Sequence, residues 1–171
     1  INTGAGNSVI GSGYAVYNGE LYFSAVDNTK GFELWKTNGT TSGTVRVKDI
    51  NPGASSSDPA NFTVVGGKLY FRAENDTTGV ELWVTDGTAA GTVIVKDIDS
   101  GSGSSDPENL INFNNKLYFV AITPTNGMVL WSSDGTAANT VMLYDIKAGT
   151  ADGSPQFLTV LDNYFYFTAD D

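Results

Sequence analysis

The sequence predicts an all-β protein of the β-propeller type, built from four-stranded antiparallel blades that repeat every 48 residues. Three observations support this prediction. A short aromatic segment recurs at constant spacing, turn-forming pairs separate the apolar segments, and no stretch shows helical periodicity. A linear, solenoid-like stack of β-units is the alternative architecture.

The repeat is anchored by residues 20–23, which read Glu-Leu-Tyr-Phe and return in related form at 68–71, 116–119 and 164–167. Each copy is predicted to form four strands, named a, b, c and d in chain order. In the second copy, the predicted strands are 62–65, 68–73, 80–85 and 92–98. Pairs such as Gly66-Gly67 and Asp86-Gly87 lie between these segments and favour tight hairpin turns.

Both faces of the predicted sheets carry apolar groups. In strand b of the second copy, Leu69 and Phe71 share one face while Tyr70 lies on the other. An antiparallel sheet with one face in water would alternate more cleanly between apolar and polar residues. A four-stranded sheet that is covered on both sides by copies of itself is a propeller blade.

Residues 81–88 read Glu-Leu-Trp-Val-Thr-Asp-Gly-Thr and resemble the repeat of the ELWxxDGT family in full. The first copy departs from the pattern at Asn38, which replaces Asp, and the third at Val129, which replaces Glu. The resemblance implies a large bacterial protein of the β-propeller type that is secreted or attached to the cell surface. It implies no defined activity, because the family is recognised by its repeat.

The register of the repeat predicts three full blades and half of a fourth, which amounts to 14 strands. The predicted boundaries are a connection at 1–13, blade 1 at 14–50, connection and blade 2 at 51–98, connection and blade 3 at 99–146, and connection and half blade at 147–171. Closed propellers have about 4–8 blades. We therefore expect either a longer parent chain or separate chains that complete each other, because a final strand b leaves unpaired backbone groups at its edge.

Composition excludes several classes of function. Nine Lys and Arg stand against 19 Asp and Glu, a formal charge of −10, which argues against nucleic acid or an anionic membrane surface as a partner. No apolar run is long enough for insertion into a membrane. Since the chain has no Cys and no His, it has no disulfides, Cys nucleophile, Ser-His-Asp triad or metal site built from these residues.

One end of the predicted blades is acidic, since the b–c turns and the d–a connections share it. The candidate binding residues at this acidic rim are Asp27, Asn28, Asp58, Glu74, Asn75, Asp76 and Asp106. Carboxylate and amide oxygens suit Ca²⁺, which is therefore the candidate cofactor. The favoured interpretation is nevertheless that no cofactor binds, because Asp and Asn also favour turns and solubility without any ligand.

The repeat signature is predicted to be structural, since it returns in successive copies. Its residues are Trp35, Trp83, Trp131, Asp86, Gly87, Asp134 and Gly135. The tryptophans could instead stack sugars, and two carboxylates could form a glycosidase site. We expect a non-catalytic scaffold or binding module that associates with itself or with a protein or glycan ligand. A calcium-dependent or carbohydrate-binding adhesin or lectin module is the alternative function, and a fragment of a glycan-active enzyme is the third possibility.

Overall fold

The computed structural model describes residues 10–27 and 29–171, so the candidate residue Asn28 lies outside the described residues. It confirms the predicted fold class, with 14 strands in three four-stranded antiparallel sheets and one two-stranded sheet. The described residues form no helix. Accordingly, a membrane-spanning helix is not found in this part of the chain.

Each full sheet follows the chain order, so that every strand pairs with the one before it. Blade 1 consists of β1 (Ile10–Tyr17), β2 (Glu20–Ala25), β3 (Glu33–Thr37) and β4 (Val45–Lys48). Blade 2 consists of β5 (Ala60–Val65), β6 (Lys68–Asn75), β7 (Gly79–Thr85) and β8 (Val93–Lys96). Blade 3 consists of β9 (Glu108–Phe113), β10 (Lys116–Thr123), β11 (Gly127–Ser133) and β12 (Val141–Tyr144). The half blade consists of β13 (Gln156–Leu161) and β14 (Tyr164–Thr168).

The hairpins between the first and second strands use the predicted turn pairs. Asn18-Gly19, Gly66-Gly67 and Asn114-Asn115 all have positive φ at both positions. This left-handed backbone matches the twist of two strands joined by a two-residue loop. Gly and Asn tolerate it better than other residues do, which is why the pairs could be recognised in the sequence.

A bulge interrupts every first strand, and the sequence analysis did not foresee it. The pairing register shifts between Ala60 and Thr63 in blade 2, and the equivalent shift recurs in the other sheets. One residue per bulge has positive φ, namely Gly13, Asn61, Asn109 and Phe157 in successive copies. As a result, these strands extend further towards their N-terminal ends than predicted.

The first strands of successive sheets lie side by side. The backbones of consecutive sheets approach most closely at β1 and β5, at β5 and β9, and at β9 and β13. Thr63 Oγ1 donates a hydrogen bond of 3.1 Å to the carbonyl oxygen of Leu110 in the next blade. Sheets that meet at their first strands radiate from a common axis, which favours the propeller over the linear stack.

The apolar faces of consecutive blades form the core. Between blades 1 and 2, the buried residues are Tyr17, Tyr22, Leu34, Val47, Ile50, Leu69, Phe71, Ala73 and Trp83. Between blades 2 and 3, they are Val65, Tyr70, Leu82, Val84, Val95, Leu117, Phe119, Ala121, Val129 and Trp131. Each tryptophan is buried, so the structure agrees with a packing role and leaves no tryptophan as an exposed sugar platform.

At each of these interfaces, a lysine from the fourth strand of one blade contacts the tryptophan of the next blade. Lys48 Nζ lies 5.9 Å from the centre of the Trp83 ring and donates to the carbonyl oxygen of Thr92 at 2.6 Å. Lys96 repeats this arrangement one blade later, 5.6 Å from the Trp131 ring and 2.9 Å from the Thr140 carbonyl oxygen. The lysine thus combines a cation–π contact with a hydrogen bond between blades.

Gly87 must be glycine for a reason that comes from the neighbouring blade. Its φ of +94° is left-handed, and the Tyr22 hydroxyl of blade 1 occupies the place of a Cβ atom. Gly39 in blade 1 has a similar φ of +89° but has no atom within 4 Å of that place. Both glycines therefore have a left-handed backbone, but only Gly87 has a side chain of another blade packed against it.

We therefore predict that Gly87→Ala destabilises the protein more than Gly39→Ala, by about 1–3 kcal/mol, because only the methyl group added at position 87 collides with a side chain. Urea unfolding of both variants measures the difference. Adding Tyr22→Phe should recover part of the loss at position 87 and none at position 39. Equal losses in the two glycine variants would show that Tyr22 does not press on this turn.

Candidate functional site

Two of the predicted rim residues occupy the same repeat position and support the b–c turn. Asp27 Oδ1 accepts hydrogen bonds from the Thr29 amide and hydroxyl, both at 2.7 Å, and from the Lys30 amide at 2.9 Å. Asn75 Oδ1 accepts from the amides of Thr77 and Thr78, each at 2.9 Å. Because an amide oxygen serves as well as a carboxylate, the turn requires an acceptor and not a charge.

The environment of Asp27 keeps its carboxylate ionised. Burial alone would raise the pKa of Asp27, but hydrogen bonds from Thr29 and Lys30 and the nearby Arg46 guanidinium lower it below its ordinary value. Arg46 Nη1 lies 2.8 Å from Asp27 Oδ2. Both oxygens of this carboxylate therefore already have protein partners.

The remaining rim residues do not converge on one point. Asp76 Oδ1 accepts a bond of 3.1 Å from Asn51 in the connection between blades 1 and 2. Asp106 lies 3.8 Å from Arg72 Nη1, while Asp58 and Glu74 are exposed. Within the described residues, no group of three or more acidic side chains is close enough to hold a metal ion.

The Asp-Gly-Thr turns use their acids in the same local way. Asp86 Oδ1 accepts from the Thr88 amide at 2.9 Å and from its hydroxyl at 2.8 Å. Asn38 makes the equivalent bonds to Thr40, at 3.1 and 2.7 Å. The hydrogen bond from the Thr88 hydroxyl lowers the pKa of Asp86, and that from Thr136 lowers the pKa of Asp134. These contacts give both acids a structural role in the turn.

The sequence analysis did not single out two buried glutamates, Glu33 and Glu81. Glu81 lies in β7, two residues before Trp83. It is fully buried and accepts hydrogen bonds from the Ser105 hydroxyl at 2.6 Å and the Asp99 amide at 3.1 Å. Glu33 accepts the matching bonds from the Ser57 hydroxyl at 2.6 Å and the Asn51 amide at 3.3 Å, and a further bond from the Ile50 amide at 2.7 Å. Each carboxylate ties strand c to the connection that enters the next blade.

This glutamate also explains where strand d ends. The fourth strand of blade 2 was predicted to reach residue 98 but ends at Lys96. The backbone amides of Ile98 and Asp99 donate to the Glu81 carboxylate and leave the strand ladder. In the third copy, Val129 and Gly153 stand where Glu81 and Ser105 stand in the second. Glu81 and Ser105 are thus replaced together in the third copy, and this is the sequence signal that could have revealed their contact.

A cleft of about 420 Å³ opens between the first strands near the axis of the blades. Tyr14, Asn61, Phe62 and Asn109 are among the residues that line it. The Tyr14 side chain is mostly exposed, and Asn61 Nδ2 donates to the Pro107 carbonyl oxygen at 3.2 Å. An aromatic ring beside amide groups can both stack against a ligand and form hydrogen bonds with it.

A second candidate surface lies where blade 3 meets the half blade. On β14, Phe167 is 39% exposed, whereas the equivalent Phe71 and Phe119 are fully buried. On β12, Leu143 is 42% exposed, whereas the equivalent Val95 is 5% exposed. We call this region the uncovered end, defined by Leu143, Tyr144 and Phe167. Clustered exposed apolar side chains are typical of protein interaction sites.

Comparisons with known proteins support the fold only. No family model matches the chain, and no curated protein matches it. A solved structure from a study of two prolyl endopeptidases is similar with a TM-score of 0.52 and 14% identity, over 80% of this chain and 19% of that chain. An α-L-arabinofuranosidase from Clostridium thermocellum has a TM-score of 0.39 and 15% identity, over 90% of this chain and 58% of that chain. The first similarity shows that this arrangement of strands occurs in a much longer solved protein.

The buried glutamates lead to a prediction about pH. Burial raises the pKa of Glu81 above its ordinary value of 4.5, although hydrogen bonds from Ser105 and backbone amides oppose the shift. Between the unfolded and folded pKa values the folded state binds more protons, so this group's contribution to stability grows as pH falls and is lost as pH rises. We therefore expect the Tm of the wild type, relative to the Tm of Glu81→Gln, to be higher at pH 5 than at pH 7.

Differential scanning calorimetry at the two pH values measures this effect. Glu74→Gln is the control, because Glu74 is an exposed carboxylate in the adjacent strand. The control should keep the pH trend of the wild type. A Tm difference for Glu81→Gln that does not change with pH would show that Glu81 does not titrate in this range.

Proposed function

We propose that this chain is a non-catalytic scaffold module of an extracellular or cell-surface bacterial protein, and that it engages another polypeptide through its uncovered end. The location rests on the resemblance to the ELWxxDGT family. The interaction rests on Leu143 of β12 and Phe167 of β14, which are exposed although their equivalents in the other blades are buried. That difference in exposure is the observation that carries the proposal.

The hydrogen bonds of the acidic residues support a non-catalytic role. Asp27, Asp86 and Asp134 each accept bonds within a turn, and Glu81 is enclosed between strand c and a connection. A general acid or nucleophile must instead reach a substrate. The similar solved structure from the study of prolyl endopeptidases has 14% identity to this chain, so it supports the fold and no activity. A glycan-active enzyme is therefore the least supported of the three functions.

Association of the chain tests the proposal. We expect the wild type to form larger species as its concentration rises, because contact buries the apolar side chains of the uncovered end. Phe167→Asp should shift this association to at least about tenfold higher concentration, because burying an unpaired charge is costly. Sedimentation velocity over a concentration series measures the shift.

Val64→Asp is the control variant, because Val64 is similarly exposed, at 38%, and lies in blade 2. It should associate like the wild type. A wild type that stays monomeric up to high concentration and captures no polypeptide would contradict the proposed function.

A carbohydrate-binding module is the second candidate, and the cleft lined by Tyr14, Asn61 and Asn109 favours it. The tryptophans are buried and cannot present a sugar platform, so Tyr14 is the residue that would stack against a sugar ring. We predict that Tyr14→Ala weakens binding to any glycan identified on an array by about tenfold. Tyr144→Ala, an exposed aromatic outside the cleft, should leave it unchanged. An array without binders would eliminate this function.

Calcium dependence stays a prediction from the sequence. Asp27 and Asp76 are the candidate acids with the most hydrogen-bond partners, and both already bond to protein groups. A rise in Tm with Ca²⁺ that a chelator reverses would support a calcium site. An unchanged Tm under both conditions would remove calcium from the proposed function.

A further inference from the structure

We infer that the peptide bond between Asp58 and Pro59 is a self-cleavage site, at which the aspartate side chain cuts the connection between blades 1 and 2 in weak acid. The inference goes beyond the proposed function and involves no residue of the uncovered end. Residues 56–59 and 104–107 both read Ser-Ser-Asp-Pro, so the chain has two such bonds, which we call the first bond and the second bond. Their surroundings in the structure differ.

The chemistry of an aspartyl–prolyl bond makes it sensitive to acid, because the aspartate itself takes part in the reaction. An oxygen of the side-chain carboxylate attacks its own backbone carbonyl carbon and forms a five-membered cyclic anhydride. The bond from that carbon to the proline nitrogen breaks, and the nitrogen takes a proton from the acid and leaves as a secondary amine. Water then opens the anhydride. One water molecule is consumed, and the products are a C-terminal aspartate and an N-terminal proline.

Both aspartates have a left-handed backbone, which is uncommon for a residue other than glycine and especially before proline. φ is +43° at Asp58 and +45° at Asp106. The fold imposes this conformation on the first bond, since the Asp58 amide donates to the Phe32 carbonyl oxygen at 3.1 Å and Pro59 is buried. Because such a backbone is strained, cleavage lets the new end relax away from the proline nitrogen, which disfavours closure of the bond again.

The Asp58 carboxylate is exposed at a cleft of about 360 Å³ beside the connection into blade 2. Ser24, Phe32 and Pro59 are among the residues that line this cleft. Water can therefore reach both the carboxylate and the bond that it attacks. Among the described residues no ion pair involves Asp58, so its side chain can turn towards its own carbonyl group.

Two side chains restrain the second bond. Arg72 Nη1 lies 3.8 Å from Asp106 Oδ1, and Asn61 Nδ2 donates to the carbonyl oxygen of the proline that follows Asp106 at 3.2 Å. One repeat earlier, beside the first bond, the positions of these two side chains hold Ser24 and Gly13. Because an exposed ion pair is weak, we expect it to slow cleavage of the second bond severalfold and not to abolish it.

Cleavage of the first bond separates the chain but not the blades. The Tyr17 hydroxyl donates to the Gly67 carbonyl oxygen at 2.7 Å, and the buried cluster that contains Trp83 joins blades 1 and 2. Burial of this cluster holds the two pieces together. The cleaved protein should therefore elute from a size-exclusion column like the intact chain and separate only in urea. Separation without urea would show that the connection, and not the interface, holds the blades together.

The test incubates the full chain at pH 5, where circular dichroism verifies that it is folded, and follows cleavage by intact mass spectrometry. We expect the first bond to break about fivefold faster than the second, because only the second aspartate is held by an arginine. The rate should rise about tenfold from pH 6 to pH 5, since aspartates are ordinarily ionised across this range and only protonation of the leaving nitrogen changes. In urea the two bonds should break at similar rates, because their local sequences are the same.

Asp58→Ser is the matched control, because Ser154 precedes Pro155 with the same φ of +43° in the third copy. This variant should lose cleavage of the first bond and keep that of the second. Arg72→Gln should raise the rate at the second bond to that of the first and leave the first unchanged. Three results would each overturn the inference: a cut at the first bond in Asp58→Ser, equal rates at the two bonds in the folded wild type, or a first bond that breaks only in urea.

Discussion

The structure depends on one constraint, which is that a blade cannot bury its two apolar faces by itself. The Leu–Phe–Trp face of one sheet must pack against the tyrosine face of the sheet before it, as Phe71 and Trp83 do against Tyr22. The hydrophobic effect therefore acts between blades more than within them. Blade spacing, the glycine turn at Gly87 and the lysine over Trp83 all follow from this contact.

The same constraint gives the polar residues their places. Connections between blades carry backbone groups that cannot join a strand ladder, and they still require hydrogen bonds where they are buried. Glu33 and Glu81 meet this requirement from inside the sheet, while Asp27, Asn75 and Asp86 accept hydrogen bonds from backbone amides of exposed turns within the blades. Asp27 and Asn75, which belong to the candidate ligand site predicted from the sequence, thus bind backbone amides of their own turns. Where no following blade covers a sheet, as at Leu143, its apolar side chains remain exposed.

Much of the fold could be predicted because its signals are local. The hairpins at Asn18-Gly19 and Gly66-Gly67 follow from residues that tolerate positive φ, and the strands follow from the repeat. The buried role of Trp83 follows from its return in successive copies. The candidate site was harder to predict. Asp27 and Asp106 share one end of the blades, but each has its own arginine partner and they form no common cluster.

The sequence by itself determined the number of strands, their order and the residues that make each turn, since these depend on neighbours along the chain. The tertiary structure alone decided that Glu81 is buried against Ser105, that a bulge lies at Asn61, and that Leu143 is exposed while Val95 is covered. These features depend on which surfaces meet across blades. A residue's sequence context is similar in successive copies, whereas its burial depends on the blade that packs against it.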